Sequence, residues 1–445
     1  MELPLPIDRA SGVPLAVQLA DGLRGAAAAG ILRPSDRLPS TRGLGATLGV
    51  SRTVTAAAYD QLLAEGWVQG RVGAGTYVTA VPPGAGTAAG GPVPGRAAGT
   101  APGTGYPLDP GRPCVAALDR AMWRRAWRAA AEPEPEDRPR PDGLAAFHSA
   151  VTEHLLRHRG LAPADMLSTA GTSAAVAELA RLLPPGSTVA VEEPGYRRAV
   201  SALRAAGLRI APVPVDADGL VVTELPIGCA AVYTTPAHQF PTAVRTAAAR
   251  RVALVERARD EGFLVIEDDY DGELRYDVAP LPLLAALAPE HVVHLGTASK
   301  ILSPTLGVGW AVGPAPLLAA WRDLRSRTGT RPSPAGQRVF AALAAHGDLT
   351  RHLRRLRREL RERRELVLAA AGRAGWTVRG DPAGAHLVLE VPDETAAVAA
   401  AARRGLDVRG LAGYHEGAPR TSGLVLGYAA GTRAELAGAL DRLVG

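Results

Sequence analysis

Lysine is almost missing from this chain of 445 residues. Of 50 basic residues only Lys300 is a lysine and 49 are arginines, so arginine supplies positive charge nearly everywhere and the one lysine needs its own explanation. Arginine keeps its proton under all ordinary conditions, whereas a lysine amine can lose it and attack a carbonyl carbon. A solitary lysine therefore points to amine chemistry, unless it is a chance survivor of an arginine-biased composition. Cysteine is scarce as well: Cys114 and Cys229 are too few and too far apart for a disulfide framework or a metal knuckle, and both read as buried small apolar residues. No apolar run approaches the roughly 18 residues that suggest a membrane span. The opening MELPLPIDRA lacks a basic segment followed by an apolar one, and no internal repeat recurs. The expectation is a soluble cytoplasmic protein with neither a membrane partner nor a metal site.

What is there reads as globular. A composition 47% hydrophobic and 21% charged excludes a wholly disordered chain or a fibre, and the length predicts two or three compact units. The net charge of +6 permits a polyanionic partner but is modest for this length.

Residues 1–80 read as helices followed by a hairpin. Leu15, Leu19 and Leu23 recur every four positions, the stripe of a first helix that Gly30 ends. Ser40 caps a short helix carrying Leu44 and Leu48, Gly49 makes a tight turn, and Ser51 caps another helix carrying Val54, Ala58 and Leu62. Two helices joined this way form a helix-turn-helix whose second helix can enter a DNA major groove. The segments WVQGR and TYV around Val72, Gly73, Ala74 and Gly75 then predict a hairpin wing. Residues 81–106 hold Ala, Gly or Pro at 19 of 26 positions, a linker with a flexible-coil reach of about 28 Å.

From residue 107 to 445, strand and helix patterns alternate. STVAVEE, LRIAPVPV, CAAVYTT, FLVIEDD and HVVHLGT are separated by helical stretches, notably 173–183 and 245–261, which predicts an α/β unit with a mostly parallel sheet. Ligands of such sheets bind beyond the carboxyl ends of the strands, and the unusual residues cluster there. Asp268 and Tyr270 would point the same way on an extended chain. Lys300 follows HVVHL with Thr297 and Ser299 beside it, and Gly171, Thr172 and Ser173 open a helix suited to phosphate. Each has an ordinary reading: a solvated acidic cluster, a common helix start, a tyrosine packed at a Pro-Gly turn. Together, an amine, a carboxylate for a ring nitrogen, a phenol and a phosphate cradle describe a pyridoxal phosphate site. In it Lys300 would carry the Schiff base, Asp268 would keep the pyridine nitrogen protonated, Tyr270 would meet the ring hydroxyl, Tyr196 would stack on or flank the ring, and Arg198 would meet an effector carboxylate. In RHLRRLRRELRERR, Leu353, Leu356 and Leu360 share one helical face, so its arginines read as a solvated face.

The motifs DRLPSTRGLGATLGVSRTVTAAAYDQLLAEGWVQGRVGAGTYV, EEPGY, TTPAHQFPT, IEDDYDGELRY, GTASKILSP and HLRRLRRELRERR occur in this order. The whole chain apart from the linker thereby resembles the MocR/GabR-type branch of the GntR transcription regulators, a winged helix-turn-helix fused to a fold-type I aminotransferase-like domain. The resemblance implies a homodimeric regulator that binds double-stranded operator DNA and senses an amine or vitamin B6-related effector through pyridoxal phosphate. It implies DNA contacts from Ser40 and Arg42, from Ser51, Arg52 and Thr53 opening the recognition helix, and from Arg71 and Gly73 in the wing. Arginine can pair bidentately with guanine, and hydroxyls and helix-start N–H groups suit phosphates. Residues 1–80 carry seven arginines against six acids, a weak field, so affinity must come from local placement.

Departures from the family pattern matter as much. Gly307 stands where an arginine commonly clamps the cofactor phosphate, seven residues after the lysine; losing a charge-assisted hydrogen bond weakens binding by about ten- to a hundredfold unless another group compensates. Val425 replaces an arginine that often binds an amino acid's carboxylate, leaving Arg198 or Arg420 as substitutes. Ala243 replaces a glycine, and Ala298 a bulkier residue. Gly307 and Val425 argue against efficient turnover as an aminotransferase, though residual transaminase activity stays open. A working aminotransferase, or a regulator that has lost its cofactor and binds another ligand in the cleft, are the alternatives.

Overall fold

Leucines at four-residue spacing fold the amino-terminal region as expected. In the computed structural model, which describes residues 5, 7–71, 75–79, 105–138, 140–276 and 282–445, helix α1 spans Leu15–Ala28 with Leu19 and Leu23 buried. Helix α2 (Thr41–Leu48) is capped by the Ser40 hydroxyl, which accepts the Gly43 N–H at 3.0 Å, and α3 (Arg52–Ala64) by Ser51, which accepts the Val54 N–H at 3.3 Å. Gly49 lies in the left-handed region at φ 64°. Gly45 is the second glycine this turn requires, since a Cβ there would stand 3.0 Å from the Val50 carbonyl oxygen. Strands β1 (Val68–Arg71) and β2 (Gly75–Val78) pair antiparallel, Val68 opposite Val78. Leu5, Leu19, Leu23, Leu44, Leu62 and Val78 form the core of this unit.

The chain divides into two compact units, Met1–Ala101 and Pro102–Gly445. Pairing in the second begins with Tyr106–Pro107, which runs parallel to Leu406–Asp407, so Tyr106 belongs with the second unit rather than with the linker.

The second unit is an α/β fold around an eight-stranded, mostly parallel sheet. Across it lie Leu167–Thr169, Gly309–Val312, Val292–Thr297, Leu264–Asp269, Ala231–Thr234, Thr188–Glu193, Arg209–Asp216 and Gly219–Leu220. The strands from Val292–Thr297 to Arg209–Asp216 pair parallel, and Gly309–Val312 is antiparallel to both its neighbours. All five apolar runs of the sequence are strands here; the short Leu167–Thr169 and Gly309–Val312 were not anticipated. The two-residue period of the strands assigns each face to its own core. Val189, Val191, Ile266, Val293 and Leu295 join Val176, Leu203, Leu318 and Trp321 on one side, while Ala190, Val232, Val265 and Val292 join Phe147, Leu254 and Phe340 on the other. The expected helices are Thr172–Leu179 and Ala248–Glu261. A smaller antiparallel sheet follows, in the order Val378–Arg379, His386–Leu389, Leu424–Gly427, Arg409–Gly410.

The arginine-rich helix Asp348–Ala374 buries Leu353, Leu356 and Leu360, but its arginines are not simply a solvated face. Arg363 is 1% exposed and donates to the carbonyls of Tyr428, Ala430 and Gly431 at 2.8–3.2 Å. Arg357 and Arg361 reach the carbonyls of Glu273 and Tyr276. A guanidinium has five donors, enough to satisfy several loop carbonyls at once, which an amphipathic pattern cannot reveal. Cys114 and Cys229 are free and buried. Among the described residues no helix is long and apolar enough to cross a membrane.

Candidate functional site

The parallel strands deliver their polar residues to one edge of the sheet. Leu264–Asp269 ends with two carboxylates that alternation separates: Asp269 meets Arg159 at 2.8 Å, both buried, while Asp268 accepts the Tyr233 hydroxyl at 2.6 Å on its Oδ2. Asp268 Oδ1 is buried and makes no close hydrogen bond among the described residues. Burial pushes the Asp268 carboxyl up to about 7, against the Tyr233 hydrogen bond that stabilises the anion and the Thr172 side chain, which also lowers its pKa. Just past the strand, Tyr270 donates its hydroxyl to the His238 carbonyl at 2.8 Å. Asp268 and Tyr270 thus both engage the neighbouring strand and the loop that follows it.

Lys300 follows the next strand, Val292–Thr297, whose Leu295 is in register with Asp268. Its Nζ donates to the Gly111 carbonyl, and burial pushes its pKa down, opposed by the charges of Asp271 and Asp268. Lys300, Tyr270 and Asp271 share a small cavity with Gly111, Arg112 and His386. Thr297 donates to Ser299 Oγ at 2.9 Å, and both face Gly171, where a Cβ would come within 3.5 and 3.9 Å of their hydroxyl oxygens. Gly171, at φ 119°, opens helix Thr172–Leu179, so the start of that helix and the two hydroxyls lie together. Ser173 Oγ and Tyr196 Oη are 2.9 Å apart.

Tyr196 stands edge-on to Phe240, with ring centroids 5.6 Å apart, and Phe240 in turn touches Tyr270, Tyr414 and His386. Phe240 is the hub of this aromatic wall, and its place in HQFPT carried no signal of that. Nor did Glu192, which organises the same loop from below: its buried carboxylate accepts from Thr234 Oγ1 at 2.5 Å, Thr235 Oγ1 at 2.6 Å and Gln239 Nε2 at 3.1 Å. Tyr233, the partner of Asp268, was likewise not singled out. Ala243 lies at φ 59°, which explains why glycine is the usual residue there.

The candidate effector groups are scattered. Arg198 is exposed, and its charge acts on the Tyr196 phenol, while Arg112 lines the Lys300 cavity. Arg420 is exposed, and Val425 packs fully buried against Val388 and Leu411. Gly307, at φ 55°, has no atom within 4 Å of where a Cβ would be.

In the amino-terminal unit Ser40, Arg42, Ser51, Arg52 and Thr53 are all exposed at the starts of α2 and α3. Arg71 pairs with Gly75 in the hairpin, and Gly73 lies outside the described residues. Arg37, which the sequence reading passed over, is exposed and bridges to Tyr77 beside the hairpin.

These residues suit pyridoxal phosphate at the amine and ring ends: a half-buried amine, a fully buried carboxylate, and an aromatic wall. At the phosphate end they offer hydroxyls and helix-start N–H groups, with no side chain at 307 to add a cation.

Comparison with known proteins agrees with both halves. Residues 106–443 match the family described as aminotransferase class I and II, and residues 15–78 match the bacterial regulatory proteins of the gntR family. The chain is 35% identical over 435 residues to the HTH-type pyridoxine biosynthesis transcriptional regulator PdxR of Corynebacterium glutamicum, covering 96% of this chain and 94% of that one. It is 32% identical to the probable rhizopine catabolism regulatory protein MocR of Rhizobium meliloti, over 96% and 92% of the two chains. Among solved structures, the kynurenine aminotransferase of Pyrococcus horikoshii superposes with a TM-score of 0.69 over 77% of this chain and 90% of its own at 24% identity, a likeness of fold.

Proposed function

The chain belongs to the MocR-type regulators of the gntR family, DNA-binding transcription regulators that join a helix-turn-helix to an aminotransferase class I and II domain, and from that premise we propose that its second unit senses an amine or vitamin B6-related effector through pyridoxal phosphate on Lys300. The observation that carries this reading is the placement of the only lysine, half-buried at the carboxyl edge of the parallel sheet, with the buried carboxylate of Asp268 among the charges acting on it.

We assign DNA binding to residues 1–80, the connection to 81–105 and effector binding to 106–445. When bound, the cofactor supplies an electrophilic carbon that an amine can reach. Asp268 would hold a proton at the ring nitrogen, and Tyr270 would lie toward the ring hydroxyl. Tyr196 and Phe240 would exclude water from the ring. Gly171, Thr172, Ser173, Thr297 and Ser299 would donate to the phosphate. Arg198, with Arg112, would meet an anionic group on the effector. On the DNA side, Ser40, Arg42, Ser51, Arg52 and Thr53 would approach the operator, with Arg71 and Gly73 in the wing. Acting as a homodimer in the cytoplasm, the protein would change operator affinity only to the extent that effector binds one of its arrangements more tightly than another.

The test is the absorption spectrum of purified protein before and after addition of pyridoxal phosphate, with Lys300→Ala alongside and operator binding measured with and without amine. A visible band that borohydride fixes, absent in the variant, is expected. No band at saturating cofactor, or unchanged effector-dependent DNA binding in Lys300→Ala, overturns the reading.

A further inference from the structure

Three buried side chains beside Lys300 have no part in the function proposed above. His238 lies in the loop after strand Ala231–Thr234, Asp271 just past Leu264–Asp269, and His386 opens His386–Leu389 of the small sheet; they are 2%, 4% and 2% exposed. His238 Nδ1 is 2.9 Å from Asp271 Oδ2. An ionised carboxylate can only accept, so that nitrogen carries a proton in the metal-free protein. Nε2 of His386 and Oδ1 of Asp271 are buried and unpartnered among the described residues.

Unmet polar atoms are costly to bury, and a cation held between these residues would give His386 Nε2 a partner while displacing the proton of His238 Nδ1. The rings are 4.7 Å apart between centroids, and one ligand atom from each residue lies within 4.8 Å of the others. Tetrahedral ligands at about 2.1 Å from zinc stand about 3.4 Å apart, so the His238 Nδ1 and Asp271 Oδ2 pair, 2.9 Å apart, would open slightly and His386 would close by little more than an ångström. The backbone is shaped to the cluster as well. Gly384 has φ 62°, and a Cβ there would lie 2.3 Å from His238 Cε1 and 2.5 Å from Asp271 Oδ2.

We propose that His238, Asp271 and His386 bind a divalent transition-metal ion of the zinc class, with an open coordination position toward the Lys300 cavity. Two imidazoles and one carboxylate suit zinc, cobalt or nickel better than calcium or magnesium. Asp271 and His386 line the same cavity as Lys300, and the Asp271 charge favours the ammonium form of that lysine. An ion that neutralises Asp271 thereby couples metal occupancy to the reactivity of the amine.

The test uses the full chain, stripped with a chelator, dialysed against zinc, passed through gel filtration and assayed for metal. One zinc per chain is expected, and cobalt in its place gives visible bands of a nitrogen- and oxygen-ligated site. His238→Gln and His386→Gln, checked for folding by circular dichroism, each weaken retention by roughly a hundredfold or more, since losing even an outer-shell partner costs about 10–100-fold. Should either variant fail to fold, X-ray absorption at the zinc edge of the parent protein decides, two imidazoles and a carboxylate being expected in the first shell. Zinc below a tenth of an equivalent, full retention in both variants, or a first shell without imidazole overturns the proposal.

Discussion

Replacing Asp268 by asparagine in the cofactor-free protein tests the electrostatics of the pocket. The carboxyl is 2% exposed, and burial lifts it from 3.8 to about 7. Between those values the unfolded chain has lost this proton while the folded chain keeps it, so the unfolded state binds fewer protons and stability falls as pH rises, at about 1.4 kcal/mol per pH unit. The loss begins near pH 4 and is complete just above pH 7. From pH 5 to pH 8 it amounts to about 3 kcal/mol, and asparagine, neutral in both states, escapes it. The new amide also buries a donor where Oδ1 made no close hydrogen bond, which costs about 1–3 kcal/mol at every pH and leaves the difference between pH values untouched. Urea titrations at pH 5 and pH 8 followed by tryptophan fluorescence report mainly on the right unit, because five of the six tryptophans lie within Pro102–Gly445. Relative to the parent, Asp268→Asn is expected to gain about 3 kcal/mol between pH 5 and pH 8. A difference that stays constant within about 0.5 kcal/mol refutes the reasoning, since the carboxyl would then titrate in the folded state as it does in the unfolded one.

Gly307→Arg is expected to tighten pyridoxal phosphate binding by about tenfold or more, by supplying a charge-assisted hydrogen bond, at a strain cost of about 1–2 kcal/mol because φ there is 55°; equilibrium titration of the visible band reads the first and urea unfolding the second, and unchanged affinity would mean that the phosphate end already holds a cation. Asp269→Asn removes one partner of a buried pair with Arg159 at 2.8 Å and should cost about 3–5 kcal/mol in urea unfolding. Gly296→Ala places a methyl 2.2 Å from the Trp310 ring and should destabilise by at least about 2 kcal/mol; a variant as stable as the parent would contradict that packing. Arg52→Ala, at the exposed start of α3, should weaken operator binding and lower the salt slope by about 1 if it contacts phosphate, as gel shifts at several ionic strengths would reveal.

What the sequence by itself determined was whatever rests on local rules. Helix starts at Ser40 and Ser51, the turn at Gly49, the five apolar strands and the position of Lys300 at a strand end all follow from capping, periodicity and composition, which act over a few residues. Short strands escaped because Leu167–Thr169 has three residues, too few to display a period. Tertiary structure decided which long-range partners meet. Tyr233 reaches Asp268 from the neighbouring strand, Phe240 gathers tyrosines from three segments, and Arg363 turns from an amphipathic helix to the carbonyls of Tyr428 and Gly431. His238, Asp271 and His386 stand far apart in the sequence and meet only in the folded chain. Such groups are paired by burial and hydrogen-bond satisfaction after the chain has folded, and spacing along a sequence carries no record of either.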